Sequence, residues 1–209
     1  MSLNPGTDTA AMQAPKIHLA SASPRRAELL PLIGVAFEVL KLGEFGVNEA
    51  VHGKEAPATY VQRLARAKAQ AGLKAIAARG LPAWPVLGAD TTVCIGRTIL
   101  GKPGDAADPP AEAARMLRLL SGTTHRVLTA VALATPGRVR VALSDSRVTF
   151  KRLSRAEIAA YVATGEPHDK AGGYGIQGPA AAFVSHLSGS YTGVMGLPLF
   201  ETAELLRGL

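Results

Sequence analysis

The chain has 209 residues, 47% hydrophobic and 19% charged, and its Lys+Arg 23 against Asp+Glu 16 leave a formal charge of +7. That composition excludes disorder over most of the chain, and the area scaling laws bury about 70% of the unfolded surface, enough for one real core. The single cysteine, Cys94, excludes a disulfide framework and a cysteine-based zinc site, and suits a reducing cytoplasm.

No apolar run approaches the roughly 20 residues of a membrane span, so no membrane contact is expected. Residues 1–15 carry neither the basic nor the apolar stretch of a signal peptide and read as a disordered tail ahead of a domain over residues 16–209. A basic balance invites nucleic acid. Aromatic residues are only 5%, however, and no five-residue basic block occurs. Scattered charge of this kind fits a phosphate-binding pocket as well as a nucleic-acid surface.

In chain order, residues 16–20 form a short β-prone run. It leads into Ser21-Ala-Ser-Pro-Arg-Arg26, where Ser23 is a good helix N-cap and Pro24 suits the first helical position. Leu29, Leu30 and Ile33 supply a buried face and Gly34 ends that helix. Residues 35–40 read as a second strand, and 41–57 as a long polar loop of the length that is often functional. The longest helical stretch runs over 58–79, with Val61, Leu64, Ala65 and Lys68 on one face. A lysine on that stripe either snorkels from the core edge or points into a cleft that the helix borders. Residues 84–95 read as a buried strand interrupted by Asp90, turning at Gly96-Arg97 into 98–100. Residues 111–120 are amphipathic, 127–134 and 139–150 are strands, and Ser154-x-x-Glu157 is a capping box opening a helix to 163. The Gly-rich stretch 168–195 carries a strand-like 182–184, and a last helix spans about 198–206. This order predicts an α/β fold, a mixed twisted sheet flanked by helices.

Three features can carry chemistry. A strand running into the helix at Ser21–Arg26 exposes backbone N–H groups, with Ser21 and Ser23 as hydroxyl donors and Arg25 and Arg26 as guanidinium forks. The bland alternative is a Ser-Pro cap with solvated arginines. Asp90 lies among apolar neighbours, and carboxylates are seldom buried unless paired. It is either a structural Asp bonded to backbone N–H groups or a general base or metal ligand at a cleft floor. Lys68, Lys102 and Lys170 are separated cations beside rigid or open backbone, or else ordinary surface lysines. Gln177, in Tyr174-Gly-Ile-Gln-Gly178, offers a donor and an acceptor to a base edge. The five histidines show no metal-ligand spacing, and no G-x-S-x-G elbow is present.

The ordered motifs Ser21-Ala-Ser-Pro-Arg-Arg26, Arg63-Leu-Ala-Arg-Ala-Lys68, Gly88-Ala-Asp-Thr-Thr-Val93, Gly101-Lys-Pro103, Ser121-Gly-Thr-Thr-His-Arg-Val-Leu-Thr129 and Asp169-Lys-Ala-Gly-Gly-Tyr-Gly-Ile-Gln-Gly178 resemble the Maf family. The likeness continues through Gly189-Ser-Tyr191 and Gly196-Leu-Pro-Leu-Phe-Glu201 and covers residues 17 to 209. It implies an elongated, two-lobed single domain with a central cleft, like the inosine triphosphate pyrophosphatases, that hydrolyses nucleoside triphosphates to the monophosphate and pyrophosphate in the cytoplasm. It implies Asp90 as the proton acceptor that activates water, with Mg²⁺ or Mn²⁺ held by Asp90 and Glu49. Glu49 is preceded here by Asn48 rather than by an acid. Ser21, Ser23, Arg26, Lys68, Lys102 and Lys170 are expected to bind phosphate, while Arg63 is expected to face solvent. Arg25, Thr91 and Gln177 match the family branch that acts on dTTP and UTP, not the branch that acts on 7-methyl-GTP. A nucleoside triphosphate is the expected partner. Several members form homodimers, and nucleic acid is not expected. The rival reading is a non-catalytic nucleic-acid- or protein-binding regulator of cell division.

Overall fold

The computed structural model describes residues 16–209, so the tail expected over 1–15 lies outside the described residues. The apolar Ile-His-Leu-Ala run is β1 (Ile17–Ala20), buried along its length. It passes through Ser21–Ser23 into α1 (Pro24–Leu29), with Pro24 in the first turn. Ser23 holds the N-cap position but its hydroxyl makes no cap bond. Its backbone N–H instead donates to the Ser21 hydroxyl, 3.2 Å away. A 3₁₀ turn (Leu30–Ile33) follows and ends at Gly34, at φ 70°, where only glycine is unstrained. The second strand is shorter than expected, β2 (Phe37–Val39). The long loop contains one 3₁₀ turn (Gly43–Phe45), and Pro57 opens the next helix instead of closing the loop.

That helix is α2 (Pro57–Ala78), followed by β3 (Val86–Ile95), β4 (Thr98–Leu100) and α3 (Pro109–Leu120). The Asp108 carboxylate accepts the Ala111 N–H, so α3 begins two residues before the apolar pattern does. β5 (Thr124–Thr135) and β6 (Arg138–Phe150) form a long hairpin, and α4 (Arg155–Ala163) opens on the expected capping box. β5 starts three residues earlier than its apolar run because Thr124 and His125 pair with Thr149 and Val148. β7 (Val184–Ser188) shares only Val184 with the expected 182–184, because Ala182 and Phe183 end a 3₁₀ turn (Pro179–Phe183). A short helix not foreseen, α5 (Tyr191–Met195), precedes α6 (Leu199–Leu206).

The strands make one seven-stranded mixed sheet in the order β2-β1-β3-β5-β6-β7, with β4 also on β3. β1 pairs in parallel with β2 and β3, and every other pair is antiparallel. The expected mixed α/β sheet flanked by helices is therefore what the chain forms. One edge of β3 is covered in two places. β1 pairs with residues 86–88 and β4 with 93–95, leaving 89–92 without a strand on that side.

Because side chains alternate along a strand, β3 serves two layers. Val86, Gly88, Asp90 and Cys94 face α2. Leu87 and Ala89 join the core under α1 and α6, and Val93 joins the core built on α3 and α4. The seam between α2 and the sheet is made of small residues: Ala65, Ala69 and Gly72 against Gly88, Ala130 and Ala132. A Cβ on Gly88 would lie 2.5 Å from the Ala69 nitrogen and 2.6 Å from the Ala65 oxygen. The helix thus rides on the strand at backbone contact, and Lys68 reaches the gap in the β3 edge.

Candidate active site

All the side chains singled out from sequence line one cleft of about 780 Å³ beside the uncovered 89–92 edge. That size holds a nucleotide. α1 and the Ser21–Arg26 turn form one wall, α2 and the loop carrying Glu49 form another, and the Gly-rich stretch after α4 closes the third.

Asp90 is the floor. Its side chain is 9% exposed, and its Oδ1 accepts from Lys68 Nζ at 2.7 Å. The same Nζ lies 2.6 Å from Glu49 Oε1, and Lys102 Nζ stands 4.0 Å from Glu49 Oε2. Of the two readings open for Lys68, the one that points into a cleft is the one realised. Of the two for Asp90, the structural one lacks its backbone bonds, since Lys68 is its partner among the described residues.

The two carboxyls are driven apart in acidity. Burial raises the Asp90 pKa above the ordinary carboxylate value, and the charges of Lys68 and Arg26 only partly offset this. Burial also pushes Glu49 up, but the Lys68 hydrogen bond and the charges of Lys68, Lys102 and Arg26 outweigh it and hold Glu49 below its usual value. Paired acids with opposed environments are a common basis for dividing roles. Asp90 is the better proton acceptor, and Glu49 stays ionised.

Arg26 is buried and fixed on three sides. Nε donates to the Gly196 carbonyl at 2.7 Å, Nη1 to Ser21 Oγ at 3.0 Å and Nη2 to Thr91 Oγ1 at 3.2 Å. Arg25 stretches across the cleft to Asp169 Oδ2 at 3.4 Å. Lys170 Nζ is anchored by the Glu166 carbonyl and by Asp169 Oδ1, both at 2.8 Å. Gln177 stands exposed at the rim. Its loop is drawn onto β3 at Gly172, where a Cβ would meet the Val93 side chain at 2.9 Å.

Further side chains brace the site through contacts that were not read from sequence. Tyr60 Oη donates to the Glu49 carbonyl at 2.9 Å, and Arg63 grips Glu55 through both carboxylate oxygens and the Ala50 carbonyl through Nη2. Arg63 was expected to face solvent. It is instead partly buried as a clamp, because the loop before α2 folds back along the helix. Tyr174, beside the cleft, is tied to the buried His125 by a 2.7 Å bond to Nε2. Asp169 and Thr129 stood inside quoted motifs, and that was their only signal.

The profile of the family described as Maf-like protein matches residues 16–209. The chain belongs to this family. Among its Maf-like relatives, the dTTP/UTP pyrophosphatase of Ralstonia nicotianae is 58% identical over 196 residues, covering 92% of this chain and 93% of the relative. The dTTP/UTP pyrophosphatase of Albidiferax ferrireducens is 56% identical over 194 residues, covering 91% and 95%. The fold is shared with the Ham1 protein of Staphylococcus aureus, at a TM-score of 0.52 and 12% identity over 92% of this chain and 96% of that one. None of the helices among the described residues is long and apolar enough to cross a membrane.

Proposed function

We propose that this Maf-like protein hydrolyses nucleoside triphosphates, dTTP and UTP foremost, to the monophosphate and pyrophosphate. The observation that carries the reading is Asp90, a carboxylate of raised pKa on the floor of a cleft whose lining includes six cationic side chains. The names of relatives at 52–58% identity supply the nucleotides.

Asp90 accepts the proton of a water aligned for attack on the α-phosphorus, and pyrophosphate leaves on the far side. Arg26, Lys102 and Lys170 bind phosphate oxygens and stabilise the charge that develops there. Ser21 and Ser23 donate at the same wall. Lys68 fixes the Asp90 carboxylate and comes free to bind phosphate when substrate enters.

The donor set also suits Mg²⁺ or Mn²⁺. Glu49 and Asp90 converge on one ammonium, and these two carboxylates are the groups that would hold a bound cation. Among the described residues no group of three or more His, Cys, Asp or Glu could hold a metal. Two carboxylates, with water and phosphate completing the shell, are how Mg²⁺ is usually held. A bound cation there supplies Lewis-acid neutralisation of the phosphates.

The test is pyrophosphate release from dTTP, UTP, CTP and 7-methyl-GTP with Mg²⁺ or Mn²⁺. dTTP and UTP should lead, and Asp90→Asn should fold and bind nucleotide while losing turnover. Near-normal hydrolysis by that variant would remove Asp90 as base, and inactivity on all four substrates would favour a non-catalytic binding protein.

A further inference from the structure

Two stretches with no part in the proposed chemistry meet behind the cleft. Thr129 on β5 is completely buried. Its Oγ1 donates to the Gly193 carbonyl of α5 at 2.7 Å. Three residues further on, the Gly196 carbonyl is the one that holds Arg26 Nε. Thr129 is also the cross-strand partner of Thr91, and their hydroxyl oxygens lie 3.0 Å apart. Thr91 in turn is 3.2 Å from Arg26 Nη2 and lines the cleft. A continuous row results: guanidinium, hydroxyl, hydroxyl, carbonyl.

The two ends of this row fix its direction. A guanidinium can only donate and a carbonyl can only accept, while each hydroxyl between them carries one proton. The Gly193 oxygen takes the Thr129 proton, because it has none to offer. The contact between the threonines is then made by the Thr91 proton, and Arg26 supplies the third. Three contacts use three protons. Thr91 Oγ1 keeps a single lone pair for the cleft and has no proton left to give. It cannot serve a phosphate oxygen, which also only accepts.

We infer that Thr129 is a positioning residue that fixes the Thr91 hydroxyl as an acceptor, so that Thr91 receives the imide N3–H of a uracil or thymine ring. Cytosine presents a bare N3 acceptor at that place and is disfavoured. Gln177 carries both a donor and an acceptor and can pair with either ring, so it does not set this preference. The inference rests on the proposed nucleotide substrate and adds how its base is chosen.

The experiment compares kcat/KM for UTP and CTP in the wild type, Thr129→Val and Thr129→Ser, with UMP and CMP binding followed by calorimetry. Thr129→Val frees the Thr91 proton to face cytosine N3. The UTP/CTP ratio should fall about tenfold, about 1.4 kcal/mol. Thr129→Ser keeps the hydroxyl and should stay near wild type. A ratio unmoved in Thr129→Val, with both rates falling together, overturns the inference, as does a serine variant that behaves like valine. Should Thr129→Val misfold, Thr91→Val takes its place. It must lose UTP activity more than CTP activity, and equal losses overturn the inference. A wild type that releases pyrophosphate from neither nucleotide refutes the proposed activity instead, and the UMP/CMP binding ratio then makes the same comparison.

Discussion

Gly88→Ala tests whether the seam between α2 and β3 is what brings Lys68 to Asp90. Gly88 does not have positive φ, so alanine brings no backbone strain. On an open strand the change would stabilise by about 0.4–1 kcal/mol through the unfolded chain. Here the new methyl meets Ala69 N at 2.5 Å, Ala65 O at 2.6 Å and Ala69 Cα at 3.1 Å. All three atoms are backbone, so no rotamer change relieves the overlap. Reaching an ordinary separation of about 3.5 Å needs a retreat of about 1 Å by the helix. Overpacking of this kind costs about 1–3 kcal/mol, and at about 2–4 °C per kcal/mol for a domain of this size Tm should fall by about 2–12 °C. The retreat also draws Lys68, which lies between those two alanines, away from Asp90. Turnover should fall with stability, by up to about 10²-fold for a 1 Å displacement. Thermal melts and pyrophosphate release give the two readings. A variant with wild-type Tm and wild-type turnover would refute the close-contact account.

His125 should make the fold acid-sensitive. Burial holds its imidazole at about 4, against an ordinary 6.5, so the unfolded chain binds this proton before the folded one does. The His125 contribution is complete above pH 6.5 and is lost progressively between 6.5 and 4. Between pH 6.5 and 5 it amounts to about 2 kcal/mol, measurable as a falling urea midpoint that His125→Gln flattens. Arg63→Met keeps the aliphatic stem but releases Glu55 and the Ala50 carbonyl, so kcat/KM should fall about tenfold with little change in Tm. Tyr60→Phe, which loses only the bond to the Glu49 carbonyl, should give a smaller fall in the same direction. Unchanged kcat/KM in both would remove the loop clamp from the site.

What was legible in the sequence was periodicity and punctuation. The α2 stripe, the Gly96 turn, the Ser154 box and the buried Asp90 strand are local signals, and each appears where its pattern puts it. The misplacements have tertiary causes. Thr124 and His125 are polar, yet they extend β5 because β6 supplies partners in register. α5 is only five residues long and its Gly193 weakens any helical pattern; it forms where the Ser190 side chain accepts the Gly193 N–H and Thr129 pins the Gly193 carbonyl. The cleft residues were legible as residue types in ordered motifs. Their geometry was not, because Lys68 and Glu49 meet Asp90 only through the packing of a helix and a loop onto one strand.

The charge of the chain has a different distribution from the one its motifs suggest. Six cations line the cleft, the expected five and Lys41, together with the anions Glu49, Asp90 and Asp169. They leave +3 of the chain's +7, so most of the net basicity lies elsewhere. Within the cleft, moreover, each anion is matched: Lys68 bridges Glu49 and Asp90, and Asp169 holds Arg25 and Lys170. These pairs keep long cationic side chains in place, at a rotamer-entropy cost already met before any ligand arrives. A polyanion entering the cleft takes over cations that already point inward, and the carboxylates it releases, Asp90 and Glu49, are those the proposed reaction needs free.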